Sequence, residues 1–132
     1  MLHRNIILGL LFLSFNSYAK ECTSIQAYAA ESVSGYLSSR EETYYAYVEF
    51  GHCDDGAIAE GFSEKITLLW AENWESISEM HNYFEMSAEF ESFVLKRIND
   101  ETTPIDRWQV IRKNAKNECI QIASDFCRRI LR

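Results

Sequence analysis

The stretch DDGAIAEGFSEKITLLW, residues 54–70, has a strong amphipathic helical pattern. Its large apolar residues recur at spacings of four, four, three and one, which places them on one face of a helix. These residues are Ile58, Phe62, Ile66, Leu69 and Trp70. Two aspartates and Gly56 precede the stripe, and aspartate is favoured at a helix start because it accepts backbone N–H groups and meets the positive end of the dipole. The stretch therefore predicts an amphipathic helix with an acidic start.

Two further helices are predicted before this one. Residues 23–26 have the form of a capping box and open a helix that extends to about Leu37. Its inward face is predicted from 4-4-3 spacing to be Ile25, Ala29, Val33 and Tyr36. Residues 39–42 form a second capping box, which opens a short helix with a stripe of Tyr44, Tyr47 and Val48.

The rest of the chain also has helical rather than strand patterns. Asn73 is predicted to interrupt the apolar pattern, Ser87 to start the next helix, and Thr103 to cap a helix whose first residue is Pro104. A last helix is predicted from about Glu118. No segment alternates with period two over the length of a strand. The prediction is an all-α fold, a compact single domain of six or seven short helices.

The first residues have the pattern of an export signal. A short basic start is followed by the apolar run IILGLLFLSF at residues 6–15 and by a small-x-small cleavage site at residues 17–19. The run is shorter than the ~20 residues that span a bilayer. We therefore expect residues 1–19 to be a signal peptide and residues 20–132 to be a helical domain in the periplasm, with no membrane contact after cleavage.

All four cysteines lie after this signal: Cys22, Cys53, Cys119 and Cys127. An even number in an exported chain predicts two disulfides rather than zinc, which prefers cysteines two to four residues apart. If Cys119 and Cys127 share one helix, they lie ~12 Å apart, beyond the ~7 Å that a disulfide allows. We therefore predict that Cys53 pairs with Cys119 and Cys22 with Cys127, or that these partners are exchanged.

The charge and the missing motifs exclude several classes of function. Without residues 1–19 the chain has 12 Lys and Arg against 20 Asp and Glu. This acidic balance argues against binding to nucleic acid or to an anionic membrane and is compatible with a basic protein partner. The nucleotide-binding glycine motifs, G-x-S-x-G and H-E-x-x-H do not occur. We therefore predict no catalytic residue, no cofactor and no metal.

The strongest candidate for a site is acidic and aromatic. Three tyrosines in one short helix, Tyr44, Tyr45 and Tyr47, cannot all point inward, and the segment GHCDDGAIAEGFSE at residues 51–64 follows them. Aromatic residues beside carboxylates suit a protein interface. The predicted partner-binding set is Tyr44, Tyr45, Glu49, Asp54, Asp55 and Glu60.

Two alternatives to this interface remain. A helix start is the favoured interpretation of the aspartates, and the tyrosines are explained equally well by a partly buried corner. Asp54, Asp55 and Glu60 are also the residues that a small hydrolase or a metal-binding protein would use, as acid and base or as ligands.

In its signal, its length and its arrangement of helices and cysteines, the chain resembles the small periplasmic immunity proteins that block cell-wall-degrading effectors of type VI secretion. The resemblance implies a stoichiometric inhibitor, often a homodimer, that plugs the groove of an amidase or muramidase. Inhibition would be by steric occlusion, with acidic residues facing a basic cleft. Two other classes stay open. One is an acid-stress periplasmic chaperone, loosened when its carboxylates protonate, and the other is a structural accessory subunit.

Overall fold

A computed structural model of the chain describes residues 20–132, and the predicted signal peptide lies outside them. Within this part there are seven α-helices, three short 3-10 turns and no strand, so the predicted all-α fold is confirmed. None of the seven combines the length and the apolar character that crossing a membrane requires. The helices are α1 (Ser24–Ser34), α2 (Arg40–Phe50), α3 (Gly56–Glu72), α4 (Ile77–Met86), α5 (Ala88–Ile98), α6 (Ile105–Asn117) and α7 (Ser124–Leu131).

Helix α3 lies at the centre and packs against α1, α5 and α6. Four of its five predicted inward residues are buried: Ile58, Phe62, Ile66 and Trp70. The helix ends at Glu72, and Asn73 interrupts the apolar pattern as predicted. Beyond this break, the indole N–H of Trp74 donates to the backbone carbonyl of Glu118, which ties the turn before α4 to the segment after α6.

The predicted inward face of α1 is wrong. Ile25 and Tyr36 are more than four-fifths exposed, whereas Ala30 and Ser34 are buried. The reason is the close approach of α1 to α3 at Gly61, where an added Cβ would lie 2.5 Å from the Ser34 hydroxyl oxygen. Only a small side chain fits opposite Gly61, so the contact selects the small face of α1 rather than its apolar face.

Two predicted helix starts have different outcomes. The capping box of α1 is confirmed, because the Thr23 hydroxyl accepts the Gln26 backbone N–H and the Gln26 side chain accepts the Thr23 backbone N–H. The predicted cap at Thr103 is wrong. Pro104 occupies the cap position of α6, and the Thr103 hydroxyl instead lies 3.4 Å from the carbonyl oxygen of Arg97.

Two disulfides are present, but the predicted pairing is wrong. Cys22 bonds to Cys53, and Cys119 bonds to Cys127. The pairing differs from the prediction because Cys119 lies outside the last helix. Helix α7 begins only at Ser124, and Cys119 lies in the irregular segment before it, where its Cα is 6.3 Å from that of Cys127. That spacing is within the range that a disulfide allows.

The two disulfides are expected to differ in their contributions to stability. The Cys22–Cys53 bond spans 31 residues and the Cys119–Cys127 bond spans 8. In the chain-entropy model the longer loop contributes ~4 kcal/mol and the shorter ~2.5 kcal/mol. Urea denaturation of Cys22→Ser/Cys53→Ser and of Cys119→Ser/Cys127→Ser should therefore show the larger loss in the first variant. The reverse order would contradict the prediction.

Candidate protein-binding surface

The end of α1, the following turn and α2 enclose an open groove of about 560 Å³. Leu37 and Ala46, both buried, and the half-buried Phe50 form its apolar floor. Tyr36 and Tyr45 flank it and are 83% and 58% exposed. Large aromatic side chains exposed beside an apolar concavity are typical of surfaces that bind another molecule. We call these residues, together with Val33, Glu41, Glu42 and Glu49, the α1–α2 groove.

Three glutamates, Glu41, Glu42 and Glu49, form an acidic rim around this groove. The Glu42 carboxylate accepts hydrogen bonds from the backbone N–H and the hydroxyl of Ser38, both at 2.8 Å. These bonds lower the pKa of Glu42, so it is charged at neutral pH. Within residues 20–132 neither Glu41 nor Glu49 forms an ion pair. The rim therefore presents uncompensated negative charge beside apolar surface.

The three tyrosines of α2 point in different directions, as predicted. Tyr44 stacks on Tyr83, with the ring centroids 4.6 Å apart. Tyr47 packs on the buried ring of Phe93 at 4.9 Å. Only Tyr45 is exposed and lines the groove. Of the predicted partner-binding set, Tyr45 and Glu49 thus lie together in the groove, whereas Tyr44 contributes mainly to the core.

The side chain of Asp54 lies outside the groove and contacts two basic residues of α5. Its side chain is only 9% exposed, and its Oδ1 lies 3.4 Å from Nη1 of Arg97, whose side chain is 3% exposed. Its Oδ2 lies 3.5 Å from the ammonium nitrogen of Lys96. The same Arg97 donates to the carbonyl of Ala59 and lies 3.5 Å from Asp100. Asp54 therefore joins the start of α3 to α5 and leaves little surface for a partner.

Asp55 and Glu60 also lie outside the groove, at two separate places. The Asp55 carboxylate accepts the backbone N–H of Gly56 and caps α3. Glu60 lines a separate cavity of about 270 Å³ beside the loop at residues 102–104. Glu64, one turn after Glu60, is bound by Arg107 at 2.7 Å, which lowers the pKa of the carboxyl group. The structure thus does not assemble Asp54, Asp55 and Glu60 into one site.

Helical spacing did not indicate that Tyr36 and Leu37 belong to this surface, whereas Glu41, Glu42 and Glu49 beside the tyrosines of α2 were recognisable in the sequence as an acidic patch. The spacing predicts Tyr36 on the inward face of α1, but α1 ends at Ser34 and Tyr36 lies past that end. Glycine is common directly after the end of a helix, so Gly35 indicates in the sequence that α1 ends at Ser34.

Comparison with models of protein families, with curated proteins and with solved structures found no match for this chain. The geometry and charge of the α1–α2 groove are therefore the observations that bear on function.

Proposed function

We propose that this chain is an exported protein-binding module whose α1–α2 groove receives a cationic, apolar segment of a partner protein. The observation that carries the proposal is the combination of an apolar floor, exposed Tyr36 and Tyr45, and a rim of three glutamates. Apolar and aromatic contacts supply most of the affinity of such interfaces, while complementary charge selects the partner and speeds the encounter.

The partner class that fits best is a cell-wall-degrading enzyme with a basic cleft, so the protein would act as an immunity-type inhibitor in the periplasm. Occlusion of the cleft requires no catalytic residue in the inhibitor. It benefits from a rigid surface, because less conformational entropy is lost on binding. The Cys22–Cys53 disulfide supports this role, since it joins the start of α1 to the turn after α2 and thereby closes the pair of helices that form the groove.

The acidic rim also bears on self-association. A symmetric dimer formed through this groove would bring the two sets of rim glutamates together, and like charges at an interface disfavour association. A partner with basic residues is therefore the better occupant than a second copy of the chain. If the protein does dimerise, we expect the contact to lie on another face.

The test is inhibition of a panel of purified cell-wall amidases and muramidases, measured as clearing of a cell-wall suspension. We expect one enzyme of this class to be inhibited at one-to-one stoichiometry. Tyr45→Ala should weaken inhibition by ~30-fold, because loss of a central aromatic residue costs ~2 kcal/mol. Tyr28→Ala is the matched control. Tyr28 is 81% exposed on α1 but does not line the groove, and its replacement should leave inhibition unchanged.

A pair of charge-reversal variants tests whether the rim glutamates attract a basic partner. Glu49→Lys reverses a rim charge and should slow association and reduce its dependence on salt, whereas Glu60→Lys reverses an exposed charge at another cavity and should do neither. A cationic amphipathic helical peptide provides a direct probe of the groove. If this peptide binds but no enzyme is inhibited, the chain is a binding module and the proposal that it inhibits an enzyme is wrong. If the test and control variants have equal effects, the groove is not the binding surface.

A further inference from the structure

A histidine lies against the first disulfide. Cys22, His52 and Cys53 each offer one ligand atom, and these three atoms lie within 4.8 Å of one another. Cys53 is buried, and the other two are half-buried. The Nε2 atom of His52 is buried and has no hydrogen-bond partner among residues 20–132. An unpaired buried nitrogen costs free energy and calls for an explanation beyond packing.

The fold brings these residues together from two places in the chain. His52 and Cys53 lie in the 3-10 turn after α2, and Cys22 directly precedes Thr23, the cap of α1. The second disulfide, Cys119–Cys127, has no such neighbour within the described residues. The other histidine of this part, His81, lies on α4 near Glu85. Among residues 20–132, one disulfide thus has an adjacent imidazole and the other does not.

We propose that reduction of the Cys22–Cys53 disulfide converts this cluster into a binding site for a thiophilic divalent cation, Zn²⁺. A dithiol reductant supplies two electrons and two protons to the S–S bond and is itself oxidised to a disulfide. The two thiols release their protons as they bind zinc as thiolates, and His52 binds as the neutral imidazole. Two sulfurs and one nitrogen leave the fourth position of a tetrahedral zinc to water.

The required movement is small and local. The sulfurs must separate to ~3.7 Å, the spacing of two thiolates that each lie ~2.3 Å from a tetrahedral zinc. Cys22 precedes the first residue of α1, so its backbone can shift without breaking the helical hydrogen bonds. The bound metal would again connect the start of α1 to the turn after α2. Zinc would therefore restore the link between these two segments that reduction breaks.

The experiment uses the protein with Cys119→Ser and Cys127→Ser, so that a single cysteine pair remains. The reduced protein is titrated with Co²⁺ under anaerobic conditions, the thiolate-to-cobalt charge-transfer absorption is recorded, and Zn²⁺ is then added. We expect one Co²⁺ per chain, displacement by Zn²⁺, and no such absorption from the oxidised protein. His52→Gln should weaken zinc binding by at least ~10-fold, whereas His81→Gln, the matched control, should leave it unchanged.

Three results would overturn the proposal: no charge-transfer absorption in the reduced protein, equal metal binding by the oxidised protein, or equal zinc affinity in His52→Gln and His81→Gln. Tryptophan fluorescence reports whether the reduced chain stays folded. If it unfolds, zinc must restore the fold in a manner that depends on His52, and failure to do so also overturns the proposal. The converse variant, Cys22→Ser/Cys53→Ser, should bind zinc at least ~10-fold more weakly after reduction, because no imidazole of the described part of the chain neighbours its remaining cysteines.

Discussion

The Arg97→Met variant should lose about 3–5 kcal/mol of unfolding free energy, as expected when one partner of a buried ion pair is removed. Methionine retains much of the side-chain volume, so the loss reports the charge and the hydrogen bonds of the guanidinium rather than its packing. Without the guanidinium, the carboxylate of Asp54 stays buried with only the exposed Lys96 nearby. The carbonyl of Ala59 also loses its donor. Urea denaturation at neutral pH measures the change.

Lys96→Met is the matched control for this prediction. Lys96 contacts the same carboxylate at 3.5 Å, but its side chain is 65% exposed. An exposed ion pair contributes less than ~1 kcal/mol, so this variant should remain close to the wild type. Similar losses in the two variants would show that burial of Arg97 does not determine the strength of the pair.

This comparison also bears on function. If Asp54 serves the fold, Asp54→Asn should lower stability, and at temperatures where the variant stays folded it should bind the cationic peptide proposed above as a probe of the groove like the wild type. Weakened binding by the folded variant would return Asp54 to the interface, where the sequence had placed it.

Trp70→Ala should be comparably destabilising, by about 3–5 kcal/mol. Trp70 is fully buried, and its ring lies 4.8 Å from that of Phe126. The guanidinium of Arg40 lies over the same ring, 3.8 Å from its centroid. Burial lowers the pKa of Arg40 to about 10, but the side chain is still charged at neutral pH. Removal of the indole leaves a cavity in the core and leaves this buried cation without its aromatic contact.

Trp108→Ala provides the comparison. Trp108 is half-buried on α6, and its indole N–H lies 3.4 Å from the side-chain oxygen of Asn99. Because less apolar surface is lost, we expect a cost below ~2 kcal/mol. Thermal denaturation followed by circular dichroism measures both variants. A smaller effect at Trp70 than at Trp108 would contradict the burial argument.

The features predicted correctly depend on interactions within a few residues. The burial of Phe62, Ile66 and Trp70 follows from helical spacing, and the cap at Thr23 follows from a hydrogen bond to the next turn. The interruption at Asn73 is local in the same sense. The cap forms in any structure that contains the helix, and a continuous stripe of large apolar side chains indicates which side of α3 is buried whatever segment covers it.

The features predicted wrongly depend on contacts between distant segments. The buried side of α1 was decided by the space left at Gly61 of α3. The pairing of Cys119 with Cys127 was decided by the late start of α7 at Ser124. Periodicity within one segment contains no information about the shape of the segment that it meets.

The candidate site likewise has some features that are local and others that depend on contacts between distant segments. The helical class of residues 20–132, the acidic balance and an outward-facing tyrosine on α2 are all predictable from the order of the residues. The packing of the helices, in contrast, places Tyr45 and Glu49 in one groove with Tyr36 and buries Asp54 against Arg97. Hydrophobic spacing is a local property that one helix expresses alone, whereas a groove and a buried ion pair each require two elements to meet, which only the packed chain specifies.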